Sequence, residues 1–146
     1  MNIAVILAGG SGTRMGNDVP KQFLKVAGKK VLEHTIEVFE NAKNIDEICI
    51  VSRTDYINEV ESIIINNGYT KVKKILSGGK ERYDSSLAAI NAYPTNNHNL
   101  LFHDAVRPLL IERIIDDCLT ALNQYNAVDV AIKTTDTIIQ VDNNDC

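Results

Sequence analysis

Glycines and cations are concentrated in the first loop of the chain, directly after a short apolar run that ends at Leu7. Four glycines fall within the eight positions 9–16. They let the backbone approach a ligand closely and turn its N–H groups inward, as in concavities that bind phosphate oxygens. Arg14 can donate to two oxygens at once, and Lys21 can supply a compact positive charge. We therefore predict a polyphosphate site in this loop.

The loop differs from the two common nucleotide-binding patterns. No Gly-Lys-Ser/Thr follows its glycines, so it is not a Walker A sequence. The spacing after Gly10 and Gly12 is wrong for the dinucleotide fingerprint, and no acidic residue ends the next strand. The alternative is an ordinary glycine-rich turn with a solvated Arg14 and Lys21. The coincidence of glycines and cations after the first strand favours the phosphate site.

A second polar segment, GGKERYDS at residues 78–85, combines a glycine turn with the start of a helix. Its backbone groups are free to contact the edge of a base, and a hydroxyl can lie near a sugar. The alternative is that Arg82 and Ser85 are simply a pair at a helix start.

A third segment, HDAVRP at residues 103–108, follows an apolar strand. There the Asp104 carboxylate can hold Mg²⁺ beside a triphosphate, or it can merely cap a turn. Arg107 either contacts ligand or holds the loop, and the sequence does not choose between these. For His103 a structural role is favoured over a catalytic one.

Strands and helices must alternate to position these segments. The apolar runs and helical spacings predict a continuous α/β pattern. The predicted strands are Ile3–Leu7, Glu47–Val51, Val72–Leu76, Leu100–His103, Val128–Lys133 and Thr137–Val141. The predicted helices are Val31–Ala42, Asp55–Asn66 (ended by Gly68), Tyr83–Tyr93 and Ile111–Tyr125.

Continuously apolar strands separated by amphipathic helices indicate a mostly parallel sheet covered on both faces. Ligands of such sheets bind at the carboxyl ends of the strands. The loops after Leu7, Leu76 and His103 should therefore converge on one site.

The bulk composition fits one α/β domain of 146 residues, with 45% hydrophobic and 23% charged residues. The net charge of −4 argues against broad binding to nucleic acid or membrane surfaces. Residues 1–30 carry five cations against Asp18 alone, so the remaining chain carries −8. This asymmetry suits a small anionic ligand. Cys49 and Cys118 are expected to be core residues, and the lack of a signal peptide or a long apolar run predicts a cytoplasmic protein.

The three motifs together resemble a known enzyme family. LAGGSGTRMG followed by PKQ resembles the signature of the cytidylyltransferases that act on 2-C-methyl-D-erythritol 4-phosphate and on ribitol 5-phosphate. GGKERYDS is similar to the family segment that holds cytosine and ribose, and HDAVRP matches a further family motif. The pair Asp136-Thr137 lies where the family carries Asp-Thr near the acceptor.

The resemblance implies a Rossmann-like nucleotidyltransferase fold, CTP as donor, Mg²⁺ as cofactor and a homodimer at full length. It implies catalytic roles for Arg14 and Lys21, a metal-binding role for Asp104, and acceptor contacts from Arg107 and Thr137. The residues implied to bind the nucleotide are Leu7, Ala8, Gly9, Gly10, Gly12, Gly79, Lys80, Arg82 and Ser85.

Within the family, the stretches at 103–110, 126–132 and 136–138 look most like the ribitol 5-phosphate branch, and Val106 stands where the methylerythritol branch usually has Ala. Family domains are longer, so we expect this chain to lack a C-terminal part with the dimerisation arm. The alternatives are a 2-C-methyl-D-erythritol 4-phosphate cytidylyltransferase, an inactive nucleotide-binding fragment, or a uridylyl- or adenylyltransferase. Arg82 and Ser85 after the glycine pair argue against the last.

Overall fold

The structure, a computed structural model, describes residues 1–10, 19–94 and 97–133. Four strands form one sheet: β1 (Asn2–Ala8), β4 (Glu47–Ser52), β5 (Val72–Ser77) and β6 (Asn99–Asp104). Their order is β5-β4-β1-β6 and all neighbouring pairs are parallel. Four helices complete the fold: α1 (Val31–Asn41), α2 (Ile57–Asn67), α3 (Arg82–Ala92) and α4 (Glu112–Leu122).

Successive side chains of a strand point to opposite faces, and both faces of β1 are buried. Ala4 and Ile6 join a core with residues of α1, α2 and α4. Ile3 and Val5 join a second core against Ala89 of α3. The helices therefore cover both faces of a parallel sheet, as the continuously apolar strand sequences predict. The predicted α/β fold class is confirmed.

Most predicted elements are confirmed to within two or three residues. Gly68 ends α2 in the left-handed conformation with φ of 66°, where a residue without Cβ is not strained. A short antiparallel hairpin before α1, β2 (Lys25–Val26) with β3 (Lys29–Lys30), is not apparent from the apolar pattern. Its turn places Ala27 and Gly28 at positive φ, as a two-residue hairpin turn requires.

The prediction of a strand at Val128–Lys133 is wrong. These residues have no regular structure, and their alternating apolar side chains are exposed, Ile132 by 94%. A strand needs a neighbour to accept and donate its backbone hydrogen bonds. Among the described residues, none pairs with this segment, so its apolar side chains stay exposed to increasing degrees from Val128 to Ile132. The predicted strand at Thr137–Val141 lies outside the described residues.

Cys49 is fully buried in the sheet, and burial raises the pKa of its thiol to about 11. Cys118 is half-buried on α4, and both thiols are free. Cys49 is therefore the small core residue that the sequence predicts. In the part of the chain that the structure describes, the helices are too short or too polar to cross a lipid bilayer.

Candidate functional site

A cleft of about 660 Å³ lies at the carboxyl edge of the sheet. The loops that follow β1, β5 and β6 all line it, so their predicted convergence is confirmed. A fourth loop, after β4, lines it as well. The described lining residues are Leu7, Ala8, Gly9, Gly10, Gln22, Arg53, Thr54, Asp55, Gly78, Gly79, Lys80, Glu81, Arg82, Ser85, Asp104, Ala105 and Val106.

The loop after β1 is held from two sides. At the end of β1, the Leu7 carbonyl accepts a hydrogen bond from the Ala105 N–H at 3.0 Å, which ties the start of this loop to the loop after β6. On the other side, the Gln22 side-chain amide donates to the carbonyls of Ala8, at 2.9 Å, and Gly10, at 3.1 Å. Gln22 is 2% exposed and was not among the predicted site residues. The available signal was the position of Gln22 between a glycine loop and a buried Phe. The residues that Gln22 contacts, however, lie far from it along the chain.

Glycine is required where the loop after β5 turns into α3. A Cβ at Gly79 would lie 2.2 Å from Asp84 Cβ, and a Cβ at Gly78 would lie 2.6 Å from Ser85 Oγ. The Gly78 N–H donates to the Ser52 carbonyl at 2.7 Å, which joins this loop to the end of β4. The helix start is closed by the Glu81 N–H donating to Asp84 Oδ2 at 3.0 Å.

The capping role at this helix start therefore belongs to Glu81 and Asp84 rather than to Arg82 and Ser85. Ser85 is 5% exposed, its hydroxyl donates to the Glu81 carbonyl at 3.5 Å, and it lines the cleft between two glycines. Lys80 is exposed at the rim. These placements are compatible with the predicted nucleotide contacts of both residues.

Two arginines hold Asp104, one on each carboxylate oxygen. Arg82 Nη1 lies 2.7 Å from Oδ1, and Arg107 Nε lies 3.0 Å from Oδ2. The Asp104 side chain is 23% exposed, whereas those of Arg82 and Arg107 are 65% and 74% exposed. Because both guanidinium groups face solvent, these ion pairs are weak and easily rearranged. The contact of Arg107 with Asp104 matches the alternative in which Arg107 holds its own loop.

His103 serves the same loop. Its Nε2 lies 2.9 Å from the Arg107 carbonyl oxygen, and its ring packs edge-on against Phe39 at 5.6 Å between centroids. This geometry supports the structural role favoured for His103.

The donor set around Asp104 fits Mg²⁺ under one condition. No group of three or more His, Cys, Asp or Glu side chains that could hold a metal occurs among the residues described. Mg²⁺ is commonly held by one or two carboxylates, with substrate phosphates and water as the remaining ligands. Among the described residues, Asp104 therefore fits as one carboxylate ligand of a metal whose other ligands are phosphate oxygens and water, provided that the exposed Arg82 moves off Oδ1.

The loop after β4 is the part of the cleft that the sequence analysis missed. Arg53 donates to Asp55 at 2.9 Å, and Thr54 Oγ1 lies 2.7 Å from Ser77 Oγ. The rule that ligands bind at the carboxyl ends of parallel strands applies to β4 as much as to its neighbours. The same rule, applied to β4, predicts that this loop lines the cleft.

Charges in the described lining are balanced, with three cations against three carboxylates: Arg53, Lys80 and Arg82 against Asp55, Glu81 and Asp104. An anion in this part of the cleft therefore depends on backbone N–H groups and on cations beyond this lining. Lys21, half-buried in the 3₁₀ turn Lys21–Phe23, is not among the described lining residues. Gly12, Arg14 and Thr137 lie outside the described residues, so their predicted roles stay predictions.

Known proteins are similar to this chain in sequence and in fold. The family described as 2-C-methyl-D-erythritol 4-phosphate cytidylyltransferase matches residues 2–146. A bifunctional ribulose 5-phosphate reductase/CDP-ribitol pyrophosphorylase from Haemophilus influenzae is 52% identical over 145 residues, which are 98% of this chain and 31% of that protein. A 2-C-methyl-D-erythritol 4-phosphate cytidylyltransferase from Thermobifida fusca is 42% identical over 140 residues, 94% of this chain and 56% of that protein.

A solved structure has the same fold. The 4-diphosphocytidyl-2C-methyl-D-erythritol synthase from Anaerococcus prevotii superposes with a TM-score of 0.81 at 31% identity. The match covers 97% of this chain and 59% of that one. The chain thus spans between about a third and three fifths of the length of these relatives.

Proposed function

Because the chain belongs to the 2-C-methyl-D-erythritol 4-phosphate cytidylyltransferase family, we propose that it is the CTP-binding part of an enzyme that transfers CMP to a polyol phosphate. The proposed acceptor is D-ribitol 5-phosphate, and the products are CDP-ribitol and pyrophosphate. The observation that carries the proposal is the cleft, where the loops with all three family motifs meet at the carboxyl edge of the parallel sheet.

The cleft suggests how CTP lies in it. We place the triphosphate at the start of the glycine loop after β1, at Gly9 and Gly10, and expect the cations Arg14 and Lys21 to contact it. The ribose and cytosine are placed between this loop and the one after β5, where Ser85 and the backbone of Gly79 are within the same lining. The acceptor then approaches from the side of Asp104 and Arg107.

The proposed reaction is attack of an acceptor phosphate oxygen on the α-phosphorus of CTP. A phosphate monoester is largely dianionic at neutral pH, since its second pKa is about 6, so it needs no general base. The obstacle is to bring two anions together and to stabilise charge on the departing pyrophosphate. Backbone N–H groups, Arg14 and Lys21 supply fixed positive potential for this purpose. Mg²⁺, held by Asp104 together with phosphate oxygens, would neutralise further charge on the triphosphate.

The choice of acceptor rests on similarity. The Haemophilus influenzae relative, named as a CDP-ribitol pyrophosphorylase, is 52% identical, compared with 42% for the Thermobifida fusca methylerythritol phosphate enzyme. Val106 at the cleft agrees with the ribitol branch. 2-C-methyl-D-erythritol 4-phosphate is the second candidate acceptor because several relatives of 36–42% identity carry that name. We further propose a homodimer for the full-length protein and a cytoplasmic reaction, since CTP is a cytoplasmic nucleotide.

The test is a comparison of the four nucleoside triphosphates. Calorimetric titration of the 146-residue chain with CTP, UTP, ATP and GTP, each with Mg²⁺, should show preferential binding of CTP. Pyrophosphate release is then measured with ribitol 5-phosphate and with 2-C-methyl-D-erythritol 4-phosphate. Release with ribitol 5-phosphate supports the proposal. Release with 2-C-methyl-D-erythritol 4-phosphate alone would make that compound the acceptor instead. CTP binding without release identifies a nucleotide-binding module, and no preference for CTP refutes the cytidylyl assignment.

A further inference from the structure

We propose that Gln22 is a positioning residue that sets the phosphate-binding conformation of the backbone from Ala8 to Gly10, where β1 passes into the glycine loop. The inference rests on the proposed function, because it concerns how that loop receives the triphosphate of CTP. Gln22 does not contact the reacting atoms. It determines which backbone groups of the loop can contact them.

The first observation is the pairing of one side chain with two carbonyls of the loop. Gln22 Nε2 lies 2.9 Å from the Ala8 oxygen and 3.1 Å from the Gly10 oxygen. An amide nitrogen carries two N–H groups, so both contacts are donated by the same NH₂ group. Gln22 is 2% exposed, so water does not replace these bonds readily.

The second observation is that Gln22 is itself firmly held. It lies in the 3₁₀ turn Lys21–Phe23, which is closed by the Phe23 N–H donating to the Pro20 carbonyl at 2.9 Å. Phe23 is buried and packs against the Tyr56 ring at 5.3 Å between centroids. The side-chain amide is therefore a fixed point against which the loop is aligned.

The consequence for an anion follows from peptide geometry. A carbonyl oxygen carries partial negative charge and repels phosphate, while the N–H of the next residue points the opposite way because the peptide is planar and trans. With the Ala8 carbonyl bound to Gln22, the N–H of Gly9 is directed away from Gln22. The bonds from Gln22 thus keep two carbonyl oxygens from turning toward a bound triphosphate. The same turn carries Lys21, so loop and cation are positioned together.

If Gln22 only fills space, a variant of the same volume should bind CTP as the wild-type chain does. Two variants distinguish this role from the positioning role. Gln22→Met keeps the length and the volume but donates nothing. Gln22→Glu keeps the shape but, as a carboxylate, places negative charge against two carbonyl oxygens. When protonated, its carboxyl group donates one hydrogen bond again.

The experiment is titration of each variant with CTP and Mg²⁺ between pH 5 and pH 8, at a temperature where circular dichroism shows the chain to be folded. Gln22→Met should bind CTP about 10- to 100-fold more weakly at every pH, the range known for the loss of hydrogen-bond partners that orient metal ligands. Gln22→Glu should show a loss at pH 8 that diminishes as the pH falls and the carboxyl group becomes protonated. Gln124→Glu, in the exposed turn that follows α4, is the matched control and should bind as the wild-type chain does.

Three outcomes separate the possibilities. Wild-type affinity in Gln22→Met overturns the positioning role and leaves Gln22 as a filler. A loss in Gln22→Glu that is independent of pH also overturns it, and if that variant does not fold, the Met variant decides alone. A wild-type chain that binds no CTP refutes the proposed function instead.

Discussion

Asp104 offers the sharpest functional test, because its two arginine partners are exposed while its proposed ligand is a metal ion. Asp104→Asn keeps the size and removes the charge. Each lost ion pair with an exposed arginine is worth about 0.2–1 kcal/mol. Since Arg82 and Arg107 are 65% and 74% exposed, the loss of both pairs should cost the folded state about 0.4–2 kcal/mol.

The effect on nucleotide binding should be larger and should depend on magnesium. One contact to a charged group is worth about 1.5–3 kcal/mol. That converts to a ~10- to ~100-fold weaker affinity for CTP in the presence of Mg²⁺. Without Mg²⁺ the effect on affinity should have the opposite sign, so that Asp104→Asn binds CTP more tightly than the wild-type chain does. The described lining carries equal numbers of cations and carboxylates, so removal of one carboxylate makes it positive and should tighten the binding of free CTP.

The assay is calorimetric titration with CTP, with Mg²⁺ and with EDTA, accompanied by thermal unfolding. Asp117→Asn is the matched control, because Asp117 accepts from Arg113 at 3.2 Å on the exposed face of α4, away from the cleft. The control should leave both titrations unchanged. If Asp104→Asn retains the full magnesium dependence of the wild-type chain, Asp104 is not the metal ligand and the reasoning fails.

Two further predictions concern the scaffold of the site. Gly79→Ala should lower the free energy of unfolding in urea by about 1–3 kcal/mol, because the added Cβ meets Asp84 Cβ at 2.2 Å and neither atom can swing away. At Gly10 an added Cβ meets no atom of the described residues within 4 Å, so Gly10→Ala should be as stable as wild type; equal stability of both variants would contradict the described packing. Glu40→Gln should destabilise the chain by about 1–2 kcal/mol at pH 7. Burial opposes ionisation of Glu40, but hydrogen bonds from Thr70 and Lys71 outweigh it and hold the pKa of this carboxyl below its ordinary value of 4.5. A lowered pKa stabilises the fold above the unfolded-state value and the gain is lost as the pH falls through the folded-state value. The gap in melting temperature between wild type and Glu40→Gln should therefore narrow below pH 4.5, and a gap that is constant with pH would be the opposite result.

Local sequence signals account for the parts of the fold that depend on a few neighbouring residues. The apolar runs of β1 and β4 and the stripes of α1 and α4 are properties of short segments, so periodicity is sufficient to find them. Gly68 ends α2 because a left-handed residue stops the helix there. The convergence of three loops followed from the parallel sheet, since all carboxyl ends then lie at one edge.

The segment at 128–133 is one whose structure local periodicity does not predict. Val128, Val130 and Ile132 stand at every second position, as the large apolar residues of a half-buried strand would, yet they are exposed. Alternation describes a surface that can be buried, but burial and backbone pairing need a second strand. Whether such a partner is present is a property of the whole fold and not of the segment.

The sequence alone therefore determined the fold class, most helix and strand positions and the three segments that surround the cleft, because these depend on short-range periodicity and on glycine chemistry. The tertiary structure decided the strand order, the participation of Arg53 through Asp55, and the two long-range pairings that shape the site. Gln22 meets Ala8 and Gly10 across 14 and 12 residues, and Arg82 meets Asp104 across 22. No periodicity encodes such contacts, because a polar side chain takes the partner that the folded backbone places within hydrogen-bonding distance.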